Sequence, residues 1–226
     1  QWVWHQQLDN PRITWDKNAT PYLGELYDRK TIEETITNFN DKVTRHEAND
    51  HEVLTKLNDQ KIVSVFSQGS ESGRRALGNR SILADPRSPL MKDLINEKVK
   101  HRQWYRPFAP AILREDVTDW FVRDIESPYM GFVIKFKPDV IDKVPAVVHH
   151  DGSGRLQTVR EADNKWFYGF LKQWKDMSGV PILLNTSFND REPIVETPED
   201  AIKCFLKTDI DYLYFCDEGI LLSKKE

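Results

Sequence analysis

The 226-residue chain contains two cysteines, no long apolar run and none of the common glycine-rich phosphate motifs. Cys204 and Cys216 lack the CxxC spacing of a zinc site and are too few for a secreted disulfide framework. No segment approaches the roughly 18 consecutive apolar residues of a membrane span. There is no GxxxxGKS or GxxxxGKT sequence, and no GxGxxG sequence follows a predicted strand. We therefore expect a cytoplasmic protein that is neither a P-loop nor a dinucleotide-binding protein.

The N-terminal segment lacks targeting signals. Its first residues, QWVWHQQLDN, contain neither the basic region nor the apolar region of a signal peptide. They do not begin with methionine, from which we expect the chain to be a piece of a longer protein. Residues 1–30 mix Trp, Pro, Asn and Tyr without a clear period, so we expect an irregular arm that packs on another domain.

The rest of the chain has the composition of a globular protein, with 39% hydrophobic residues, 30% charged residues and a net charge of −4. This acidic balance argues against a general nucleic-acid coat. Apolar patterns predict strands mixed with helices without strict βαβ alternation, which indicates an α/β or α+β sheet domain. The predicted strands lie at 61–66, 108–113, 130–136, 145–150, 156–159 and 181–185 and in a hairpin around 217–219, and the predicted helices lie at 31–38, 49–58, 89–100, 115–121, 164–177 and 198–206.

A basic segment follows the first of these strands. Residues 69–106 contain nine basic and four acidic residues, although the whole chain is net negative. We expect residues 68–81 to form a glycine-punctuated loop, in which Arg74 and Arg75 and the backbone N–H groups face an anion. Arginine suits phosphate because its planar guanidinium binds two oxygens at once. A solvated charged face is the alternative interpretation of the same composition.

A second polar segment, HHDGSGRLQTV (149–159), carries Arg155 after two glycines. Glycines let the backbone approach a ligand closely, although a plain structural turn needs them as well. Because adjacent residues of a strand point to opposite faces, His149 and His150 do not predict a metal site.

A third polar segment, LNTSFNDREPIV (184–195), begins at the end of an apolar strand. Asn185 and Ser187 supply small donors and acceptors that suit phosphate oxygens or a small amide-like group, and a simple loop turn is the alternative. No GxSxG sequence surrounds Ser187, so we do not expect it to act as a covalent nucleophile.

Taken together, these segments resemble the C-terminal domain of the antibiotic and nodulation-factor O-carbamoyltransferases. The matching sequences are RRALGNRSILADPR (74–87), the INxxxK pattern of 95–100, YRPFAP (105–110), HHDGSGRLQTV (149–159) and LNTSFN (184–189). TPYLGELY (20–27) is similar to the linker between the two halves of these enzymes. The resemblance implies a twisted mixed sheet with flanking helices, similar to the threonylcarbamoyl-adenylate synthase fold.

The resemblance also implies a reaction and a domain arrangement. Such a domain forms carbamoyl adenylate from carbamoyl phosphate and ATP, releasing phosphate and pyrophosphate, with Mg²⁺ expected on the ATP. A sugar-kinase-like N-terminal transferase domain, which carries the acceptor pocket of the family, has no counterpart in this sequence. We expect residues 1–60 to be a linker arm and helices from the junction with that domain, and residues 61–226 to be the carbamoyl-adenylating domain.

Six positions match the family's anion-binding set: Arg75, Lys100, Arg106, Arg155, Asn185 and Ser187. The resemblance implies that Lys100 and Arg106 hold carbamoyl and α-phosphate oxygens, while the other two arginines neutralise charge that develops during adenylyl transfer. Asn185 and Ser187 would bind phosphate or carbamoyl atoms. We expect Lys100 to be a solvated lysine at a helix end, whose removal leaves the fold intact.

Two other functions stay open at this point. A non-catalytic nucleotide- or anion-binding module would use the same cations without turnover. A nucleic-acid-binding domain would use them as a basic surface, and its binding would depend steeply on salt. The net negative charge disfavours the second of these.

Overall fold

The computed structural model describes residues 3–11 and 20–225, and these residues build one nine-stranded mixed sheet with flanking helices. The strands are β1 (Val43–Glu47), β2 (Val63–Phe66), β3 (Arg80–Ala84), β4 (Ala109–Leu113), β5 (Phe132–Lys135), β6 (Ser153–Val159), β7 (Ile182–Ser187), β8 (Tyr212–Phe215) and β9 (Ile220–Lys224). Their order in the sheet is β1-β9-β8-β2-β3-β7-β4-β6-β5. β2 pairs with β8 and β4 with β6 in parallel, and the other neighbours are antiparallel. The predicted mixed sheet is confirmed.

Six α-helices lie in the described part of the chain: α1 (Arg29–Thr37), α2 (Asp50–Asn58), α3 (Met91–Lys98), α4 (Val117–Trp120), α5 (Lys165–Ser178) and α6 (Pro198–Lys207). Their apolar residues divide between two clusters. One cluster contains residues of α2 and α5, and the other contains residues of α1, α3, α4 and α6. Each helix among those residues is too short or too polar to span a membrane.

The central strands are covered on both faces. In β7, Ile182 and Leu184 belong to the cluster with α6, whereas Leu183 belongs to the cluster with α5. Successive strand residues point to opposite faces, so a strand buried on both sides needs an unbroken apolar run. PILLN (181–185) has that pattern, which is why this strand was predictable.

Side-chain caps fix the start of two helices where the sequence predicted them. Thr197 precedes α6, and its Oγ1 accepts from the Asp200 N–H while an Asp200 carboxylate oxygen accepts from the Thr197 N–H, both at 3.1 Å. Pro198 takes the first helical position, where its missing N–H costs nothing. Asn164 caps α5 by accepting from the Phe167 N–H at 2.9 Å.

One prediction around residues 145–159 is wrong and another is confirmed only in part. The strand predicted at 145–150 is a 3₁₀ turn, Pro145–Val147, followed by a turn in which the Gly152 N–H donates to the His149 carbonyl at 2.8 Å. Of the glycine turn predicted at 151–155, Gly152 does lie in a turn, with a φ of 77°, whereas Ser153, Gly154 and Arg155 already belong to strand β6. Gly154 is needed because a Cβ there would lie 2.6 Å from the Phe136 ring, so this glycine permits close packing within a strand.

The sequence pattern also missed two strands. β3 was missed because its first two residues, Arg80 and Ser81, fall in the predicted basic loop 68–81. The Arg80 side chain is nevertheless fully buried over the Phe66 ring, 3.4 Å from the ring centroid. β1 is an edge strand with mostly exposed residues that pairs with β9. Of the predicted irregular arm, residues 1–2 and 12–19 lie outside the described residues, and Val3–Gln7 form a π-helical turn. The domain boundary at residue 60 stays a prediction.

Strand directions bring four loops to one end of the sheet. β3, β7, β4 and β6 are consecutive neighbours, and β7 runs antiparallel to both β3 and β4, while β6 runs parallel to β4. The starts of β3, β4 and β6 therefore lie at the same end as the finish of β7. The loops at this end are 67–79, 99–108, 149–152 and 188–196. They contain or adjoin the three polar segments singled out in the sequence.

Candidate functional site

A strongly basic cavity lies at this end of the sheet. Its volume is about 330 Å³, within the roughly 300–1,000 Å³ of small-molecule sites. Among its lining residues, all in the described part of the chain, five are arginines and none is an aspartate or glutamate. The lining consists of Arg74, Arg75, Ala76, Arg102, Arg106, Pro107, Phe108, Ala109, Met130, Arg155, Asn185, Thr186 and Ser187. We call this space the basic cavity.

The arginines of the basic cavity perturb one another. Burial lowers the pKa of Arg75, and the neighbouring Arg155 and Arg74 lower it further. Burial also lowers the pKa of Arg102 to about 10, with added repulsion from Arg106 and Arg155. The charged forms of Arg75 and Arg102 are therefore less favourable here than in water, and an anion that enters the cavity relieves this repulsion.

A buried carboxylate shapes the loop that carries Arg74 and Arg75. Glu71 Oε1 accepts from three backbone N–H groups, those of Leu77 at 2.6 Å, Asn79 at 2.9 Å and Arg80 at 3.3 Å. Burial raises the pKa of Glu71, and these hydrogen bonds oppose the rise. By closing the loop on itself, Glu71 fixes the backbone from which the two arginines project.

A buried asparagine organises the second arginine-bearing loop. Asn96 is fully buried on α3, and its Nδ2 donates to the carbonyl oxygens of Trp104 at 3.1 Å and Arg106 at 2.9 Å. Its Oδ1 accepts from Arg102 Nε at 2.7 Å. Both arginines that this loop gives to the basic cavity are thus held by one side chain.

Lys100 differs from the sequence expectation. The prediction of a solvated helix-end lysine is wrong, because its side chain is buried with a relative exposure of 4%. Its Nζ donates to the carbonyl oxygen of Ser187, to the carbonyl oxygen of Asn189 at 2.7 Å and to Asn189 Oδ1 at 2.8 Å. Burial lowers its pKa to about 7, and repulsion from Arg102 contributes. The acceptors come from a loop that is remote in sequence, so no local pattern signals this burial.

Asn185 is a lining residue of the basic cavity whose side-chain amide is almost completely buried. Its Nδ2 donates to Gln157 Oε1 at 2.6 Å and to the Ala76 carbonyl oxygen at 3.2 Å. Gln157 in turn donates from Nε2 to the Leu77 carbonyl at 3.0 Å, which fixes the direction of both amides. The buried Oδ1 of Asn185 accepts no hydrogen bond from the described residues.

Five of the six predicted site residues line the basic cavity: Arg75, Arg106, Arg155, Asn185 and Ser187. Lys100, the sixth, does not line it but contacts Ser187, with 3.3 Å between Nζ and Oγ. Their roles in binding or catalysis stay predictions. Sequence reasoning did not include Arg102, which lies in the basic segment 69–106 between two matched sequences, or Asn189, which ends LNTSFN (184–189). Neither residue differs locally from its polar neighbours.

The site contains no evident place for a protein-bound metal. Within 3–11 and 20–225, no group of three or more His, Cys, Asp or Glu side chains is arranged to hold a metal ion. The donor set of the basic cavity, guanidinium groups with amide and hydroxyl oxygens, does not fit Mg²⁺, which prefers carboxylate, water and phosphate oxygens.

Comparison with solved structures identifies a related fold. The crystal structure of T. kodakarensis HypF superposes with a TM-score of 0.51 at 12% sequence identity, covering 81% of this chain and 23% of that chain. At this identity the similarity concerns the fold alone.

Sequence comparison identifies the family. An uncharacterized protein of Methanocaldococcus jannaschii is 39% identical over 223 residues, which cover 94% of this chain and 36% of that protein. The nodulation protein NolNO of Sinorhizobium fredii is 46% identical over 159 residues, which cover 69% of this chain and 23% of that protein. The chain therefore spans about a third of the length of the first relative and about a quarter of the length of the second. Residues 54–223 match the sequence model described as Carbamoyltransferase C-terminus, and the chain belongs to that family.

Proposed function

We propose that this domain forms carbamoyl adenylate from carbamoyl phosphate and ATP, as the activating half of an ATP-dependent O-carbamoyltransferase. The observation that carries the proposal is the convergence of five guanidinium groups, without a carboxylate, on one cavity of about 330 Å³. Both substrates are polyanions that repel each other, and fixed cations reduce that repulsion when the two are brought together. Family membership as a carbamoyltransferase supports the carbamoyl group as the cargo.

The proposed reaction balances with one water molecule. Carbamoyl phosphate, ATP and water give carbamoyl adenylate, phosphate and pyrophosphate. Water first cleaves the bond between the carbamoyl group and the phosphate of carbamoyl phosphate, which releases phosphate and leaves carbamate. A carbamate oxygen then forms a bond to the α-phosphorus of ATP as the bond from the α-phosphorus to the α–β bridging oxygen breaks, and pyrophosphate leaves. Negative charge increases on the departing pyrophosphate, where prepositioned cations stabilise the transition state more than the ground state.

We assign the arginines to charge stabilisation and positioning. Arg75 lies in the loop before β3 and Arg155 lies in β6, and the two positive charges repel each other. In this proposal they bind the same anionic group. Arg102 and Arg106 are held by Asn96 and hold the phosphate or carbamoyl oxygens on the other side. Rigid attachment matters because catalysis by positioning requires groups that do not reorganise during the reaction.

Lys100 has a supporting role in this proposal. Its ammonium group holds the carbonyl oxygens of Ser187 and Asn189, which fixes the loop after β7. When Lys100 is protonated, its positive charge next to Ser187 also attracts a phosphate oxygen that binds to the Ser187 hydroxyl group. Ser187 is thereby an oxyanion ligand in the proposal and not a nucleophile.

Asn185 supplies specificity for the carbamoyl group. A carbamoyl group carries an N–H₂ donor, which phosphate groups lack, and the cavity otherwise offers mainly donors. The Asn185 Oδ1 atom, oriented by the hydrogen bonds of its own amide nitrogen, suits that N–H₂ group. Any magnesium enters on the ATP phosphates, since the cavity residues do not fit a protein-bound ion.

Transfer to a hydroxyl acceptor belongs to another part of the enzyme in this proposal. The chain spans 36% of its M. jannaschii relative and 23% of NolNO, so their remaining residues are sufficient for a further domain. We propose a sugar-kinase-like N-terminal transferase domain as the partner of residues 61–226, with residues 1–60 at the junction.

The test is pyrophosphate release from ATP by the 226-residue chain, with and without carbamoyl phosphate. We expect release that depends on carbamoyl phosphate and falls by about 10²–10³-fold in Arg155→Ala, the usual cost of removing a transition-state donor. Arg123→Ala, an exposed arginine outside the cavity lining, is the matched control and should retain activity. Binding of ATP without turnover would instead identify a non-catalytic module.

A further inference from the structure

The segment that precedes α1 lies along the loop 67–79, which carries two arginines of the basic cavity. It comprises residues 20–28, and we call it the strap. Tyr22 of the strap forms an antiparallel β-bridge with Glu71 of the loop. A backbone hydrogen bond flanks this bridge on each side, one of 2.7 Å and one of 3.1 Å. The strap therefore pairs with the loop as a neighbouring strand would.

The other end of the strap is held by a side chain of the same loop. Gln68 Oε1 accepts from the Tyr27 N–H at 2.9 Å, and Gln68 Nε2 donates to the Tyr27 carbonyl oxygen. The Tyr27 ring also packs on Phe66, with 6.0 Å between the ring centroids. The strap is thus attached to the loop at both Tyr22 and Tyr27.

Between these two attachments, the close approach of the backbones requires glycine. A Cβ on Gly24 would lie 1.9 Å from Ser70 Oγ and 2.5 Å from the Ser70 backbone nitrogen. The backbone nitrogen cannot turn away as a side chain can, so any larger residue at this position separates the strap from the loop. On the loop side, Gly69 has a φ of 71°, and a Cβ there would lie 3.2 Å from the Tyr22 carbonyl oxygen. Both segments therefore use glycine where they meet.

The strap holds the residue that fixes the shape of the loop. Glu71 pairs with the strap through its backbone, and its carboxylate accepts from the backbone N–H groups of Leu77 and Asn79. The Tyr22 hydroxyl donates a further hydrogen bond to the Leu77 carbonyl oxygen at 3.1 Å. The loop is thereby anchored on both sides of residues 73–76, which include the two arginines. A displacement of the strap would release both anchors through Glu71.

We propose that the strap positions Arg75 for anion binding in the basic cavity, with Gly24 as the positioning residue. The inference rests on the proposed function in taking the basic cavity as the site of phosphate binding, and it adds a role for a segment whose sequence is similar to a linker. The neighbouring Arg155 repels Arg75, so a loop released from the strap lets Arg75 move away from the cavity. The attached strap prevents this movement.

The test measures the affinity of the 226-residue chain for inorganic tripolyphosphate by calorimetry, with urea denaturation to show that each variant is folded. Gly24→Ala should weaken binding about tenfold, as loss of one charge-assisted hydrogen bond does. Gln68→Ala removes both side-chain hydrogen bonds to Tyr27 without a clash and should weaken binding in the same direction. Gly169→Ala, whose added Cβ meets no atom within 4 Å, is the matched control and should keep the wild-type affinity.

A double-mutant cycle separates positioning of Arg75 from a general structural effect. The variant that combines Gly24→Ala with Arg75→Ala should bind tripolyphosphate no more weakly than Arg75→Ala alone, because the strap then has no arginine to position. Multiplied losses in the double variant, or wild-type affinity in Gly24→Ala, would overturn the inference even if carbamoyl adenylate forms. The expected coupling supports it even if the chain releases no pyrophosphate, in which case the proposed function alone fails. A wild-type chain that does not bind tripolyphosphate would overturn both.

Discussion

The buried side chain of Asn96 donates a 2.9 Å hydrogen bond from Nδ2 to the carbonyl oxygen of Arg106, ten residues further along the chain. The same side chain accepts from Arg102 Nε and donates to the Trp104 carbonyl. One residue on α3 therefore holds the guanidinium group of Arg102 and the backbone of Arg106, two residues that line the basic cavity. This relationship makes Asn96 a positioning residue in the account of the site.

Asn96→Ala should weaken ATP binding and lower the free energy of unfolding. Two backbone carbonyls lose their donors, and each buried group left without a partner costs about 1–3 kcal/mol. Calorimetry with ATP and urea denaturation measure the two effects. Asn40→Ala, in an exposed turn, is the control and should change neither. If Asn96→Ala lowers stability but leaves ATP affinity at the wild-type value, Asn96 supports the fold and does not position the arginines.

Glu71→Ala should loosen the loop that carries Arg74 and Arg75. The substitution removes the carboxylate oxygen that accepts three backbone N–H groups, so local opening becomes more frequent. We expect trypsin to cleave after the exposed Arg74 about tenfold faster, because about 1.4 kcal/mol of lost local stability corresponds to that factor. Mass spectrometry of the fragments identifies the bond cleaved.

Glu71→Gln provides a graded comparison, since it keeps one acceptor oxygen without the charge. Its cleavage rate should lie between those of wild type and Glu71→Ala. Glu47→Ala, with a side chain 64% exposed, controls for general effects of losing a carboxylate. Unchanged cleavage at Arg74 in Glu71→Ala would show that the loop holds its conformation without this carboxylate.

Lys100 should make stability depend on pH. Its pKa is lowered to about 7 in the folded protein from 10.5, mainly by burial, so between these values the unfolded chain binds more protons than the folded one. Stability contributed by this residue therefore increases with pH above about 7, by up to about 1.4 kcal/mol per pH unit. Below pH 7 both states carry the charge and the dependence disappears.

Urea denaturation of wild type and Lys100→Met between pH 7 and 9 measures this contribution as the difference between two slopes. Lys98→Met, at the end of α3 and exposed, is the matched control. The wild type should gain stability relative to Lys100→Met as pH rises across this window. Parallel pH profiles for the two proteins would contradict a lowered pKa at Lys100.

The sequence predicted those features of the fold that depend on local pattern. β7 and α6 were found because an unbroken apolar run and a Thr-Pro start are local signals. β3 was missed because a strand that begins with arginine has a polar sequence. The Arg80 side chain can be buried because it packs on the Phe66 ring and donates hydrogen bonds to nearby backbone carbonyl oxygens. Phe66 and the Glu196 carbonyl group lie in other parts of the chain, so the sequence of β3 alone does not predict these contacts.

The site divides in a similar way. The resemblance to carbamoyltransferases, confirmed by the family match, identified arginines of three separate segments that the fold brings to one cavity. The burial of Lys100 was not predictable, since its acceptors on Ser187 and Asn189 are 87 and 89 residues away. Arg102 was missed because its position at the cavity depends on a hydrogen bond to Asn96. The polar sequence at the end of α3 does not predict that Asn96 is buried.

Asn185→Ala should reduce discrimination between carbamoyl phosphate and acetyl phosphate. Acetyl phosphate replaces the N–H₂ donor by a methyl group, so only carbamoyl phosphate can use the Asn185 Oδ1 atom. We expect wild type to prefer carbamoyl phosphate by about tenfold, near the value of one buried hydrogen bond, and the variant to show a ratio near unity. Competition binding gives the ratio directly.

A general loss of stability in Asn185→Ala would weaken the binding of carbamoyl phosphate and acetyl phosphate alike, so it would not change the ratio of the two affinities. Thr186→Ala is the matched control, because Thr186 lines the same cavity and is adjacent in sequence. It should weaken both ligands alike, if at all. A wild-type ratio that persists in Asn185→Ala would assign recognition of the carbamoyl group to another residue.

The central claim is that a carbamoyl group becomes attached to the α-phosphate of ATP in the basic cavity. Mass spectrometry of an acid-quenched reaction of the 226-residue chain with ATP and ¹³C-labelled carbamoyl phosphate tests this directly. The account predicts carbamoyl adenylate that carries the label, in amounts that match the pyrophosphate released. Intact ATP, or only ADP and phosphate, from a chain that binds both substrates would contradict it.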